Sequence, residues 1–319
     1  MTAPARSSTR VAVIGAGAIG RGWAALCVSA GWECTLFDTD VQAADRAMAE
    51  IGRRAKALAA LGRAPGPTVE RGLRSLKTGR SLLQACGNAD WIIESVPEDL
   101  KIKQRLFENL SQVAGPAAIM SSSSSGLPIT EIAARSRDQQ RCIVAHPLNP
   151  PELIPLVEVV SGKFTAPSTV ETVRHWLRAL GRIPITLKRE VPGNAVGRIA
   201  AAVWRECIEL VLTGVIDVED IDRAVSLGPS LGWAAAGPHL TYHLGAGDQG
   251  VKGFLEQLLQ SFESWWGSLA QWTKLEPEQV QALTGQIEHA YGGKLDAMRE
   301  ARDRRLAAIL QALEQARKA

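Results

Sequence analysis

The stretch that decides the fold is Arg10-Val-Ala-Val-Ile14-Gly15-Ala-Gly17-Ala-Ile-Gly20, answered downstream by Cys34-Thr-Leu-Phe-Asp38. The apolar run from Arg10 to Ile14 predicts a short strand. The three glycines predict a tight turn, and Trp23, Leu26 and Cys27 carry a helical pattern that ends near Gly31. Cys34 to Asp38 then reads as a second strand closed by an acid. Strand, glycine turn, helix, strand and acid, in that order and spacing, describe a dinucleotide-binding unit. Gly15 permits the turn, Gly17 lets the backbone approach a pyrophosphate, and Gly20 allows helix and strand to pack closely. The amides of Ala18, Ile19 and Gly20 at the helix start offer donors and positive potential. Asp38 can accept bonds from ribose hydroxyls and repels a 2′-phosphate, which favours NAD over NADP.

Working outward, Val41 to Leu61 is helical, with Arg46, Arg53, Arg54 and Lys56 read as a solvated face. Arg63 to Pro67 breaks it, before a short helix over Val69 to Leu73. Asp90 to Val96 has the continuous apolar character of a buried parallel strand. Pro97-Glu98-Asp99 caps a helix bearing Lys101 and Lys103. Ala117 to Met120 predicts a strand running into Ser121-Ser-Ser-Ser-Ser125-Gly126. That run is too short for a linker and sits where ligands bind in such sheets, so its hydroxyls either serve the ligand or cap a turn. A strand from Cys142 to His146, a proline-stiffened loop and a strand containing Glu158 come next, then a helix (Val170 to Leu180) and a strand (Ile183 to Lys188).

Pro192-Gly193 marks a change of composition, and everything beyond it reads as helical. The segments are Ala195 to Leu212, with Val196, Ile199, Ala200, Val203, Cys207, Leu210 and Val211 as one buried face, then Val218 to Leu227, and a last helix from Lys294 to Ala316. The apolar stripe of that last helix needs a surface to pack on, such as a second subunit. The expected architecture is α/β: an N-terminal Rossmann dinucleotide-binding domain over residues 1–190, followed by an all-helical domain over 191–319 for substrate binding and homodimerisation.

Composition narrows the function. The 319 residues are 46% hydrophobic and 22% charged with a formal net charge of +3, too small and too evenly spread for a nucleic-acid partner. No apolar run is long enough for a membrane span. About nine residues precede the first strand, too few for a secretory signal, so a cytoplasmic protein is expected. Cys27, Cys34, Cys86, Cys142 and Cys207 form no CxxC pair, which suggests neither a disulfide framework nor a zinc site. His239 and His243 have i, i+4 spacing but no third ligand, so no metal is expected there and pocket lining is the stronger reading. Trp233, Trp265, Trp266 and Trp272 group in the helical half, as packing residues or as a cage for a quaternary ammonium group.

His146, closing one strand, and Glu158, inside the next, suit a catalytic base and the carboxylate that orients it. Together with the glycine fingerprint, Glu94-Ser-Val-Pro-Glu98-Asp-Leu-Lys101-Ile-Lys103, the serine turn, and Ala145-His146-Pro-x-Asn149-Pro, they resemble the 3-hydroxyacyl-CoA dehydrogenase superfamily. The His-Pro form is similar to its small-acid branch, which includes L-gulonate 3-dehydrogenase and L-carnitine 3-dehydrogenase. The resemblance implies NAD-dependent oxidation of a secondary hydroxyl, with His146 as general base, Glu158 holding the imidazole, Ser125 bonding the reacting oxygen and Asn149 at the boundary of nicotinamide and substrate. Glu98 and Lys103 would lie near the nicotinamide ribose. Two positions depart from the pattern. Gly197 stands where the family has an Asn that helps hold the substrate oxygen, and Asn194, three residues earlier, is the expected substitute. Gly232 stands where the small-acid branch has a basic residue. An acyl-CoA substrate is the enzymatic alternative, with Arg53, Arg54 and Lys56 as its support. A catalytically weak NADH-binding structural or sensor homologue is the other.

Overall fold

The computed structural model describes residues 9–293 and 295–316, and the chain divides into two compact units, Met1–Arg198 and Ile199–Ala319. The first unit runs β1 (Arg10–Ile14), α1 (Ala18–Ser29), β2 (Glu33–Phe37), α2 (Val41–Ala60), α3 (Gly66–Ser75), β3 (Lys77–Thr78), α4 (Leu82–Cys86), β4 (Trp91–Glu94), α5 (Leu100–Val113), β5 (Ile119–Ser122), α6 (Ile129–Ile132), β6 (Cys142–Pro147), β7 (Leu156–Ser161), α7 (Pro167–Ala179) and β8 (Ile183–Leu187). The strands form one sheet in the order β3-β2-β1-β4-β5-β6-β7-β8. All neighbours are parallel except β6 and β7. The six strands from β3 to β6 have the order of a doubly wound nucleotide fold, with the reversal beside β1.

Two apolar cores account for the sheet's stability. One gathers Trp23, Leu26, Ile51, Trp91, Ile93 and Val159 on one face, and the other gathers Ile14, Ile92, Phe107, Met120 and Val144 on the opposite face. Strand residues alternate between them, as the period of two demands. Trp91 stacks on Trp176 with ring centroids 5.4 Å apart and meets Trp23 edge-on at 5.8 Å. Asp40 and Asp99 cap α2 and α5 through their carboxylates, each accepting backbone N–H bonds that the first turn would otherwise leave unmade.

Several expectations need correction. The third helix starts at Gly66, because Pro67 fits a first helical turn, so only the start of the segment read as a break lies outside it. β5 begins at Ile119 and takes in Ser121 and Ser122 as buried strand residues, so only the last three serines form the turn. Arg54 is not on a solvated face: it pairs with Glu50 at 2.6 Å and with Glu152 at 3.0 Å. β3 and α4 are too short to leave a periodic signal.

The second unit is helical throughout. α8 (Asn194–Leu212) continues into it, followed by α9 (Val218–Leu227), α10 (Pro229–Ala236), α11 (Pro238–Leu244), α12 (Gly250–Ser268), α13 (Pro277–Tyr291) and α14 (Leu295–Ala316). Lys294, where the last helix was expected to begin, lies outside the described residues. The stripe expected to be buried on α8 is only partly so. Of its members only Val211 is buried and Ile199 is 60% exposed, while Ile208, outside the stripe, is buried. On α14, Leu295, Met298 and Ile309 are also exposed. The tryptophans are dispersed: Trp265 and Trp266 pack on Phe262, while Trp272 donates to Glu209 at 2.8 Å. His239 and His243 line an apolar cavity of about 740 Å³ with Tyr242, Phe254, Phe262 and Trp266, and His243 Nδ1 accepts the Val251 N–H. No described helix is long and apolar enough to cross a membrane.

Candidate active site

Several candidate residues of the first unit gather at one edge of the sheet. The registers Ile14↔Glu94, Glu94↔Ser122 and Ser122↔Val144 align the carboxyl ends of β1, β4, β5 and β6. The loops that leave those ends carry the glycine turn, Glu98 and Ser125, and His146 is the penultimate residue of β6. Ligands bind along this edge in open α/β sheets because helix N-termini and free backbone amides converge there.

The glycine turn fits a dinucleotide. Gly15 has φ +106°, and a Cβ there would lie 2.5 Å from the Ser95 carbonyl oxygen, so only glycine serves. A Cβ on Gly20 would come within 1.9 Å of the Gly15 carbonyl oxygen. Gly17 is different: its Cβ would project into open space with nothing within 4 Å. That opening lies at the N-terminus of α1, beside Ala18 and Ile19, where a pyrophosphate needs room. Asp38 Oδ2 accepts the Ala16 N–H at 2.7 Å and Oδ1 the Asp40 N–H at 2.9 Å, so the acid also braces the turn. Gly17→Val is expected to leave the melting temperature unchanged and weaken NADH binding at least about tenfold, read by fluorescence titration. The new Cβ projects into the cradle, where nothing lies within 4 Å of it.

The five serines divide by face. Ser121 accepts from Trp91 Nε1 at 2.8 Å, and Ser123 accepts from Trp23 Nε1 at 3.1 Å and shares a 3.0 Å bond with Ser95. Ser122 donates to Glu94 and Ser124 donates to Glu98, each at 2.5 Å. Ser124 Oγ also accepts the Leu127 N–H at 2.8 Å. Four hydroxyls therefore hold structure. The fifth, on the exposed Ser125, makes no hydrogen bond among the described residues, while its backbone is held at both ends. Its N–H donates to Glu98 Oε1 at 3.1 Å and its carbonyl accepts from Asn194 Nδ2 at 3.2 Å.

Beneath this turn lies a buried ion pair. Lys103 Nζ is 2.7 Å from Glu94 Oε1, with the two side chains 1% and 0% exposed. The ammonium also meets Val96 O at 3.3 Å and Glu98 Oε2 at 3.3 Å. Lys103, expected beside the nicotinamide ribose, thus has its three donors engaged by protein, because a buried ammonium must be paired. Burial pushes the Glu94 carboxyl above its ordinary range, although Lys103, Ser122 and the Val96 N–H pull it back. Burial acts on Glu98 in the same sense but is outweighed by the Ser124 bond and the Lys103 charge, leaving its pKa below the usual value.

His146 and Glu158 are direct partners across the antiparallel pair β6/β7, which brings residues twelve apart in sequence side by side. His146 Nδ1 lies 2.8 Å from Glu158 Oε2, and both side chains are buried. A carboxylate accepts, so Nδ1 carries the proton, and in the neutral ring Nε2 has a lone pair. Glu158 Oε1 accepts the N–H groups of Ala195 and Val196 at 2.8 and 3.0 Å, in the first turn of α8. Nothing in the sequence signals that second anchorage. Asn149 is exposed on the loop after His146 and precedes Pro150 through a cis peptide bond. The same loop is tied back by Glu152 to Arg54, and Gly22 of α1 passes so close that a Cβ would lie 2.6 Å from Glu152 Oε2. Asn194, expected to substitute at the substrate oxygen, is buried and directs its amide to Ser125 instead. Gly197 sits nearby: its Cβ would be 4.0 Å from the Ser125 carbonyl oxygen. Among the described residues, no group of three or more His, Cys, Asp or Glu side chains could hold a metal.

Comparison with known proteins identifies the family. Residues 10–191 match the model of the 3-hydroxyacyl-CoA dehydrogenase NAD binding domain, and residues 193–283 match that of its C-terminal domain. The L-carnitine dehydrogenase of Streptomyces coelicolor is 36% identical over 98% of this chain and 96% of its own length. That of Burkholderia mallei is 38% identical over 86% of this chain and 83% of its own. Among solved structures, an NAD+-dependent 5-formyl-3-hydroxy-2-methylpyridine 4-carboxylic acid 5-dehydrogenase superposes with a TM-score of 0.79 at 29% identity, covering 96% of this chain and 99% of that one. With its NAD-binding fold, its buried His–Glu pair and these matches over nearly its whole length, the chain belongs to the 3-hydroxyacyl-CoA dehydrogenase family and is an NAD-dependent oxidoreductase acting on CH–OH.

Proposed function

We propose that the protein oxidises the secondary hydroxyl of a small β-hydroxy acid, with His146 as general base, and that L-carnitine is the first substrate to test. The observation that carries the reading is Glu158, whose one oxygen meets His146 Nδ1 while the other accepts two amides of α8. This carboxylate is fixed in place and in turn fixes the imidazole, leaving Nε2 to take the substrate's hydroxyl proton. The imidazolium that forms is stabilised by Glu158. Ser125 bonds the reacting oxygen with its uncommitted hydroxyl, and Asn149 orients the substrate from the following loop. Asn194 belongs to the same machinery. Gly15, Gly17, Ala18, Ile19, Gly20 and Asp38 would hold NAD, with Glu98 toward its nicotinamide ribose and Lys103 supporting from below. When bound, NAD accepts the hydride that leaves the carbinol carbon.

The names of the relatives support L-carnitine. Gly232, in place of a basic residue, leaves the carboxylate anchor to another group. The acyl-CoA alternative loses one of its supports, because Arg54 is engaged by Glu50 and Glu152. Five free thiols suit a reducing, cytoplasmic setting, and the exposed apolar positions of α14 support a homodimer through the helical unit. The test is NAD reduction across L-carnitine, other free β-hydroxy acids and neutral β-hydroxy compounds, set against NADH oxidation by acetoacetyl-CoA. Turnover of a free hydroxy acid is expected. Turnover of the thioester alone would replace the reading with the acyl-CoA one, and NADH binding without any turnover would favour a structural homologue.

A further inference from the structure

The first turn of α8 touches both halves of the candidate chemistry. Its backbone amides at Ala195 and Val196 hold Glu158, and its first side chain, Asn194, donates to the Ser125 carbonyl. Asn194 has φ +49°, a left-handed conformation that asparagine tolerates better than most residues. It is 6% exposed, and its Nδ2 reaches a carbonyl 69 residues away in sequence. On the other side of the same residue, Glu98 accepts the Ser125 N–H, and Glu98 is itself held by Ser124, Gly126 and Lys103. The Ser125 backbone is therefore gripped from two sides while its hydroxyl stays uncommitted.

We infer that Asn194 is a positioning residue: it acts through Ser125, fixing where that hydroxyl points, and does not itself contact the substrate. The inference rests on the role given to Ser125 above. The side chain and the amides of this turn do separate work, since removing the Asn194 amide leaves the Ala195 and Val196 bonds to Glu158 in place. A serine hydroxyl displaced by a fraction of an ångström still bonds, but no longer where the reacting oxygen needs it.

The test uses Asn194→Gly, which keeps the left-handed backbone and removes the amide, and Asn194→Asp, which keeps the shape and removes the donor. On the hydroxy compound best turned over in the screen, both should lower kcat by about tenfold to a hundredfold. The KM for NAD and the melting temperature should be unchanged. In a Ser125→Ala background the same substitutions should cost less than about twofold, because the group they position is gone. Amide exchange at Ser125 and Gly126 should speed up about tenfold in Asn194→Gly, while Ala195 and Val196 stay protected. An undiminished kcat in both variants, or equal losses with and without Ser125, would overturn the inference. If the wild type turned over nothing, the functional reading would fail alone, and unchanged exchange at Ser125 and Gly126 would still sink this one.

Discussion

His146→Gln should lower kcat/KM on the best hydroxy substrate by about 10²- to 10⁴-fold while leaving NADH affinity intact, the span expected when a positioned general base is removed. Glutamine fills similar space and can donate to Glu158, so Glu158 keeps a partner and the β6/β7 pairing survives. What is lost is the lone pair at Nε2. Steady-state rates and an NADH titration on the same preparation check the prediction. Loss of both activity and NADH binding would point to misfolding, and an undiminished rate would remove His146 from the chemistry. Glu158→Gln is expected to follow in the same direction, because an amide can make only part of the present set of bonds to His146, Ala195 and Val196.

The second large effect concerns folding. Lys103→Met leaves Glu94 fully buried without its counter-charge, and breaking one side of a buried ion pair costs about 3–5 kcal/mol. The pH dependence has a definite sign. Burial already raises the Glu94 carboxyl in the folded state, and removing Lys103 raises it further. A carboxyl raised on folding contributes stability that is fully present below its unfolded pKa and is lost as pH rises through the folded value. The deficit of Lys103→Met should therefore be largest at alkaline pH and shrink toward the ordinary glutamate range. Denaturant melts across that window measure it. The Glu94→Gln/Lys103→Met double variant should recover much of the loss. A deficit independent of pH would mean that Lys103 contributes packing rather than charge.

The nucleotide half was readable because its signals are local. A strand, a glycine turn and a capped helix each announce themselves within a dozen residues, and their order leaves few topologies. His146 and Glu158 were readable as residue types, but their contact depends on the β6/β7 register, which pairs them only after the loop between has folded. The second grip on Glu158, the Arg54–Glu152 tie and the Lys103–Glu94 pair join elements far apart in the chain. Charge pattern cannot distinguish such residues from a solvated face, which is why the sequence does not show that Arg54 reaches Glu152 or that Lys103 is buried against Glu94. In the helical half, periodicity located α8 and α9, but it cannot say which apolar face finds a partner. Ile199 and Ile208 look alike in sequence, and only the second is buried.

The serine run has a genetic consequence. Deleting any one of its five codons gives the same product, four serines followed by Gly126. With the strand held upstream, the bonds to Trp91, Glu94, Trp23 and Glu98 can all re-form. Glycine would then occupy the place of Ser125. A one-serine deletion should therefore yield a protein that folds and binds NAD but has lost the one hydroxyl of the run that is uncommitted among the described residues. Such an allele would be silent in expression level and visible only in turnover.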